Sequence, residues 1–571
     1  MAFDQILLDV MWNRLISTVN EQAAALMRSS FTSIVREAGD LSAGVFDRRG
    51  RMVAQAVTGT PGHINSMATG MAHFLDRFPV DTLRPGDVLI TNDPWKTASQ
   101  LNDITVATPV FRGNRAVALF ASCCHALDIG GRGLSADSRS VFEEGLFIPM
   151  MRLHAEGRPV DAVYELIAAN VRTPDEVLGD LHSQVVANDV GGRQLLAVLD
   201  ELGLRDIEAL ADEIVARTGA AMRARIRALP DGTYPFALTI DGAGAPIALR
   251  AAVRIAGDHL TVDYAGSSAP VSLGINVCLN YTHAYTTYGV KCAIAPDVPN
   301  NAGSFGPVTV TAPADSILNA RFPAAVGGRH LVGHFLPSAV MGALAGVLPS
   351  RVMAPGADGL WDTHIAGEER GTGRYFSFSW FSAGGTGALG TQDGLSATAY
   401  PSGVAGVQSE VMESVAPIVI RRRELRADSG GAGTFRGGLG QTIEFEVRTD
   451  REYLFSGLYE RVHHPAPGLC GGGAGAPGRL SASGGVDVQP KLSRLVPPGT
   501  VITLELPGGG GYGPPRERAH EHVLADVLLG YVSLARARED YGVAIDPVSM
   551  DLRAEDTRAL RGRARDAGPM P

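Results

Sequence analysis

Cysteine is scarce in this chain. Five occur in 571 residues, at positions 123, 124, 278, 292 and 470. Their number is odd and no CxxC or zinc-finger spacing is present, so neither a disulfide framework nor a cysteine zinc site is encoded, and a reducing, cytoplasmic setting is expected. Positive charge is also short. The 50 Lys and Arg against 60 Asp and Glu leave a net charge of −10, which argues against nucleic acid or an anionic membrane surface as partner. No apolar run reaches the ~18 residues that a membrane span needs. The start, MAFDQILLDVMWNRL, lacks the basic region and small-residue cleavage site of a signal peptide. Nucleotide motifs are missing too. No GxxxxGK[ST] occurs, and GLGQT at 438–442 and GAGAP at 242–246 lack the lysine and the strand-to-helix context.

What is present reads as globular: 45% hydrophobic and 19% charged residues, in a chain long enough for about two to four domains. The patterning predicts an α+β, multidomain fold. Residues 1–159 read as a mixed α/β region, 160–229 as helical, and 230–365 as a β meander with helices. Residues 366–515 read as a glycine-rich β region and 516–571 as a helical tail. Most of the glycine clusters lie after residue 365, in GGTGALG, SGGAGTFRGGLG, LCGGGAGAPG and PGGGGYG. Strand-like runs separate them, so they read as tight turns and backbone crossings. At the other end, Ile6, Leu7, Val10, Met11, Leu15, Ile16 and Val19 predict a core-facing stripe on a helix over 5–29.

The stretch Leu89–Gly131 organises the rest. Two β-rich runs, Ile104–Phe111 and Ala116–Ser122, flank the turn Gly113-Asn114. Closing that hairpin would bring Asp103, at the start of the first strand, to His125, at the end of the second. A carboxylate and an imidazole on one sheet edge suit a metal, although a surface acid and a hydrogen-bonded histidine are the commoner outcome. Cys123 and Cys124 read as small buried hydrophobes ending a strand rather than as nucleophiles.

Further candidates surround this stretch. Glu37 and Asp40 precede the hairpin that turns at Asp47–Gly50. His63 follows Pro61-Gly62 just ahead of a helix expected over 66–78, where a capping or core role is the commoner one. Glu143 and Glu144 lie close in sequence to the hairpin and suit a ligand or general-base role. Arg329 and His330 at a helix start could meet an anion. Tyr281, His283, Tyr285 and Lys291 fall on a helix-like run read as buried, and His463-His464 could place at most one ring on a given metal.

The pattern NDPW, LNDITV, TPVF, CH and DIGGRG, with REAGDLSAGVFDRRGRMVAQ before it and PGGGGYGPPRERAHEHVLADVLLGYVS after it, resembles the hydantoinase B/oxoprolinase family. The resemblance runs nearly the whole chain. It implies a divalent metal, zinc or manganese, held by a His, an Asp three residues later and a second His, which map to position 100, Asp103 and His125. Position 100 is Gln here, whose carbonyl is a weaker donor than imidazole. Asp128 would orient His125, and Glu37, Asp40, His63 or Glu144 would handle protons. It also implies a hetero-oligomer with a hydantoinase A-type ATPase subunit that binds ATP. The expected function is the metal-bearing subunit of an ATP-dependent hydrolase of small cyclic amides (hydantoinase, oxoprolinase or lactamase type). The alternatives are a subunit of an acetone/acetophenone-type ketone carboxylase, and a non-catalytic partner with a degraded metal site.

Overall fold

A computed structural model describes residues 5–57 and 59–562. Alternating apolar residues build its first sheet. Strands β1 (Leu41–Phe46) and β2 (Met52–Gln55) close around the Asp47–Gly50 turn as expected. With β3 (Val88–Thr91), β4 (Asp103–Arg112), β5 (Arg115–His125), β6 (Met151–Ala155) and β7 (Arg158–Pro159) they form a seven-stranded sheet, in the order β2-β1-β5-β4-β3-β6-β7. The β4–β5 hairpin turns at Gly113, whose φ of 60° suits glycine. Its register sets Asp103 opposite His125.

Both faces of this sheet are covered, because successive side chains of β5 point to opposite sides. Leu119, Ala121 and Cys123 pack with Ile64, Met67, Met71 and Phe74 of the Pro61–Arg77 helix. Phe120 packs with Leu15 and Val19 of the Gln5–Ser29 helix and Leu195 of the Pro174–Glu201 helix. Within the region read as helical, the Pro174–Glu201 helix runs through Gly191-Gly192. Those glycines sit where a Cβ would lie 2.5 Å from the Phe120 ring and 3.0 Å from Val110, so they let the helix lie close on the sheet. The N-terminal stripe is corrected: Leu8, Met11, Leu15 and Val19 face the core, while Ile6, Leu7 and Val10 are exposed. Gln184 donates its amide to the carbonyls of Ile104 and Ser122, tying the helix to the hairpin beside Asp103.

The meander expected after Gly232 forms as β8 (Gly232–Ile240), β9 (Ile247–Ala256) and β10 (His259–Asp263). The buried Leu279–Ile294 helix then leads back to β11 (Val308–Thr311), parallel to β10. Gly62 seats this helix against the Pro61–Arg77 helix: a Cβ there would fall 2.6 Å from Tyr281 and 2.8 Å from Tyr285. Two four-stranded sheets follow. One joins β12 (Trp361–Glu368) and β13 (Tyr375–Ser382) to Tyr453–Leu458 and Ser493–Val496. The other contains Ile418–Leu425, Gln441–Val447, Arg479–Ala482 and Val501–Glu505. Trp361, Trp380 and Phe455 from this part share a core with Leu41 and Ala43 of β1.

The glycine clusters prove to be backbone crossings more than turns. Gly431 donates to Gly509, Gly509 to Gly438, Gly438 to Thr386, and Gly511 to Gly473, so four segments hydrogen-bond to one another side by side. At Gly385, Gly437 and Gly508 a Cβ would stand 1.8, 2.0 and 1.8 Å from a neighbouring carbonyl oxygen. The tail read as helical opens with two helices, His520–Leu528 and Leu534–Glu539. Gly530 (φ 73°) and the capping hydroxyl of Ser533, which accepts from Arg536 N–H, separate them. A last helix spans Ala554–Gly562, and residues 563–571 of the tail lie outside the described residues.

Gly385→Ala is expected to destabilise the protein by about 3 kcal/mol or more, since backbone has to move. Gly346→Ala, in open space, should stay within about 0.5 kcal/mol of the parent in the same urea melts.

Candidate functional site

The end of the β4–β5 hairpin meets three other parts of the chain around a small cavity of about 40 Å³. Asp40, His63, Gln100 and His125 come from the first sheet and its helices, Tyr281 from the buried helix, Arg329, His330 and His334 from the loop and helix after Gly328, and Asp362 from β12. Asp103 lies behind this lining, fully buried, and joins four of its side chains. Its Oδ1 accepts from Gln100 Nε2 at 2.6 Å and lies 3.2 Å from His125 Nδ1. Its Oδ2 lies 3.0 Å from His63 Nε2 and pairs with the Arg329 guanidinium. Burial alone would raise this carboxyl, but Arg329 and His63 outweigh it and hold Asp103 well below the usual carboxylate range.

Arg329 is anchored from several sides. Its Nε donates to the Ala98 carbonyl at 2.8 Å, and its guanidinium carbon stands 4.5 Å from the centre of the Tyr281 ring. The loop that carries it is held by Glu144, whose Oε1 accepts the N–H groups of Val326 and Gly327, both at 2.7 Å. His63 belongs to the first turn of its helix rather than preceding it. Burial works against a charge on His63, yet Asp103 and Asp40 raise its pKa on balance. Asp40 accepts from the Thr60 hydroxyl at 2.9 Å, and its backbone carbonyl accepts the His125 N–H.

Several expected roles need correction. Glu37 is absent from the cavity lining and pairs with Arg36 at 2.9 Å, because it lies on the solvent side of its turn. Glu144 braces the Arg329 loop instead of facing the reacting space. Asp128 does not orient His125: it accepts from Gly130 N–H and pairs with Arg172 at 2.7 Å. Cys123 and Cys124 face different cores, and burial pushes both thiols well above their ordinary range, so no thiolate is available. His464 lies 3.1 Å from Asp241 in a separate pocket. Asp40, His63, Gln100, Asp103 and His125 do come together.

The metal implied by the resemblance does not fit this donor set. Gln100 must turn its NH2 to Asp103 Oδ1, since a carbonyl oxygen 2.6 Å from a carboxylate would be repelled, so its own carbonyl points away. The same NH2 lies 2.9 Å from His125 Nδ1 and occupies that ring nitrogen. The remaining oxygen of Asp103 faces Arg329. Among the described residues no group of three or more His, Cys, Asp or Glu side chains is arranged to hold a metal ion.

Asp362 was not anticipated. It is 2% exposed, lines the cavity, and its Oδ1 has no hydrogen-bond partner. Burial pushes its carboxyl up to about 7. The one sequence signal for it is an acid directly after the apolar pair Leu360-Trp361. The Tyr285 hydroxyl hydrogen-bonds with His334 Nε2 at 3.0 Å, and its ring packs against that of Tyr281.

The sequence matches the hydantoinase B/oxoprolinase family over residues 4–515. The chain belongs to that family. It is 31% identical to the beta chain of the caprolactamase of Pseudomonas jessenii, over 95% of this chain and 96% of that one. It is 29% identical to the B-type chain of a putative D-/L-hydantoinase from a Pseudomonas species, over 98% of both. The crystal structure of the ATP-dependent caprolactamase from Pseudomonas jessenii superposes with a TM-score of 0.88, at 30% identity, covering 98% of this chain and all of that one. A nucleotide-free acetone carboxylase shares the fold (TM-score 0.88, 20% identity, all of this chain and 84% of that one). The α+β, multidomain architecture is thus that of this family. Among the described residues no helix is long and apolar enough to cross a membrane.

Two outcomes follow from this geometry. Arg329→Met should cost about 3–5 kcal/mol by leaving Asp103 buried and uncompensated, and adding Asp103→Asn should restore much of that in a double-mutant cycle of urea melts. Glu144, pushed up to about 7 by burial, is protonated more readily folded than unfolded. The stability it contributes is present below about pH 4.5 and lost as the pH rises through 7. The fall in melting temperature between pH 5 and 8 should therefore be shallower in Glu144→Gln.

Proposed function

We propose that the chain is the B-type subunit of an ATP-dependent cyclic-amide hydrolase. It would act in the cytoplasm with an A-type ATPase subunit that binds ATP and activates the ring oxygen of a small cyclic amide. The observation that carries this reading is the end-to-end similarity, at 31% identity, to one chain of a caprolactamase. The lack of any nucleotide motif in the chain supports a separate ATP-binding partner. So do the subunit designations of its relatives.

The cavity supplies groups for ring opening. Asp362, with an unpartnered oxygen and a proton affinity near neutrality, suits transfer of a proton from attacking water or to the leaving ring nitrogen. Tyr281 and Arg329 form the wall against which charge on the carbonyl oxygen would develop. Asp103 holds the Arg329 guanidinium from behind, with Gln100 and His63 on its oxygens. No step passes through zinc or manganese. The similarity to acetone carboxylase is one of fold and lends no weight to a carboxylase reaction.

Co-expressed with its ATPase partner, the chain should open hydantoins, oxoproline-like rings or lactams only when ATP and both subunits are present. Asp362→Asn should lower kcat by about 10²–10⁴ with the heteromer intact. Incorporation of labelled bicarbonate into a ketone, without ring opening, would replace this reading with the carboxylase one.

A further inference from the structure

The donors around Asp103 leave no place for the expected metal. We propose that Arg329 stands in place of the metal: its guanidinium is the resident positive charge on Asp103, and the cavity binds no divalent cation. This concerns the same site as the proposed hydrolase reaction, but it does not require that reaction.

Asp103 has two oxygens, and four nitrogens from four side chains surround them: Gln100 and His125 at one, His63 and Arg329 at the other. A cation would have to displace donors on both sides. A divalent charge placed against Asp103 would also sit beside a buried guanidinium, where repulsion is poorly screened. Arg329 cannot easily swing away. The Ala98 carbonyl and the Tyr281 ring hold its side chain. Its backbone is fixed by Glu144 at Val326-Gly327 and by Gly328 N–H donating to the Gly274 carbonyl at 2.5 Å. A Cβ on Gly328 would meet that same carbonyl and the Leu458 side chain at 3.0 Å, so a larger residue there would press on the loop that delivers Arg329. Its Nη1 makes no hydrogen bond among the described residues, which leaves a donor edge for an anionic oxygen of a ligand in the cavity.

The test uses the full chain and Mn²⁺ alone as probe, followed by electron paramagnetic resonance, with elemental analysis of protein grown in medium rich in zinc and manganese. The parent is expected to carry no stoichiometric metal and to leave added Mn²⁺ free. Gln100→His should behave in the same way, because Arg329 still covers Asp103. Gln100→His/Arg329→Met should bind Mn²⁺ at least about tenfold more tightly than the parent. One equivalent of metal in the parent, removed by Asp103→Asn, would overturn the proposal. Equal Mn²⁺ binding by Gln100→His and the double variant would also overturn it, because Arg329 would then not be what excludes the cation. Should the double variant not fold, the parent and single-variant titrations decide. These readouts need no turnover, so an inactive complex would count against the hydrolase reading and leave this one standing.

Discussion

The site depends on one buried ion pair. Asp103 is fully enclosed and Arg329 nearly so, and neither charge could be kept from water without the other. Desolvating two such ions is costly, and the Coulombic return is sufficient only when the remaining lone pairs and N–H groups find partners. Gln100, His63 and the Ala98 carbonyl are those partners. Every element around the cavity is placed so that this pair can form: a hairpin end, a helix start, a buried tyrosine and a glycine-lined loop.

That requirement explains features scattered through the fold. Gln184 ties its helix to the hairpin carbonyls next to Asp103. Gly62 lets one helix touch Tyr281 and Tyr285, bringing the Tyr281 face under the guanidinium. Glu144 holds the Arg329 loop while keeping one oxygen unpartnered, and burial makes its ionisation unfavourable near neutrality. The glycine segments beyond residue 384 serve a different end. Their backbones lie so close that side chains are excluded, and they bond to the loops at 354–355 and 384–388 that flank β12 and β13. The strand that carries Asp362 is thereby placed on the cavity.

Two carboxyl groups at the site thus have opposite fates. Asp103 is held ionised by a cation in contact with it, whereas Asp362, equally enclosed but without a cation at its oxygens, titrates near neutrality. Separation of two acids by environment is a common way for one site to hold a fixed charge and a mobile proton. Here the difference is made by a side chain of the chain itself, which links the charge of the site to the folding of the loop after Gly328.

Local pattern alone determined the hairpin and its turn, the meeting of Asp103 with His125, the β1–β2 hairpin, the meander after Gly232 and the family itself. Each follows from a period of two, a turn residue or a linear motif, all of which operate over a few residues. Tertiary structure alone decided that Arg329, 226 positions away, covers Asp103, that Asp362 enters the same cavity, that Glu144 braces a loop and Asp128 serves Arg172. It also decided which segments the glycine crossings bring together, and that the 174–201 helix runs through two glycines. Periodicity tells which face of an element is buried, but not which distant side chain will lie against it. That depends on packing and charge compensation among segments whose sequence separation carries no signal.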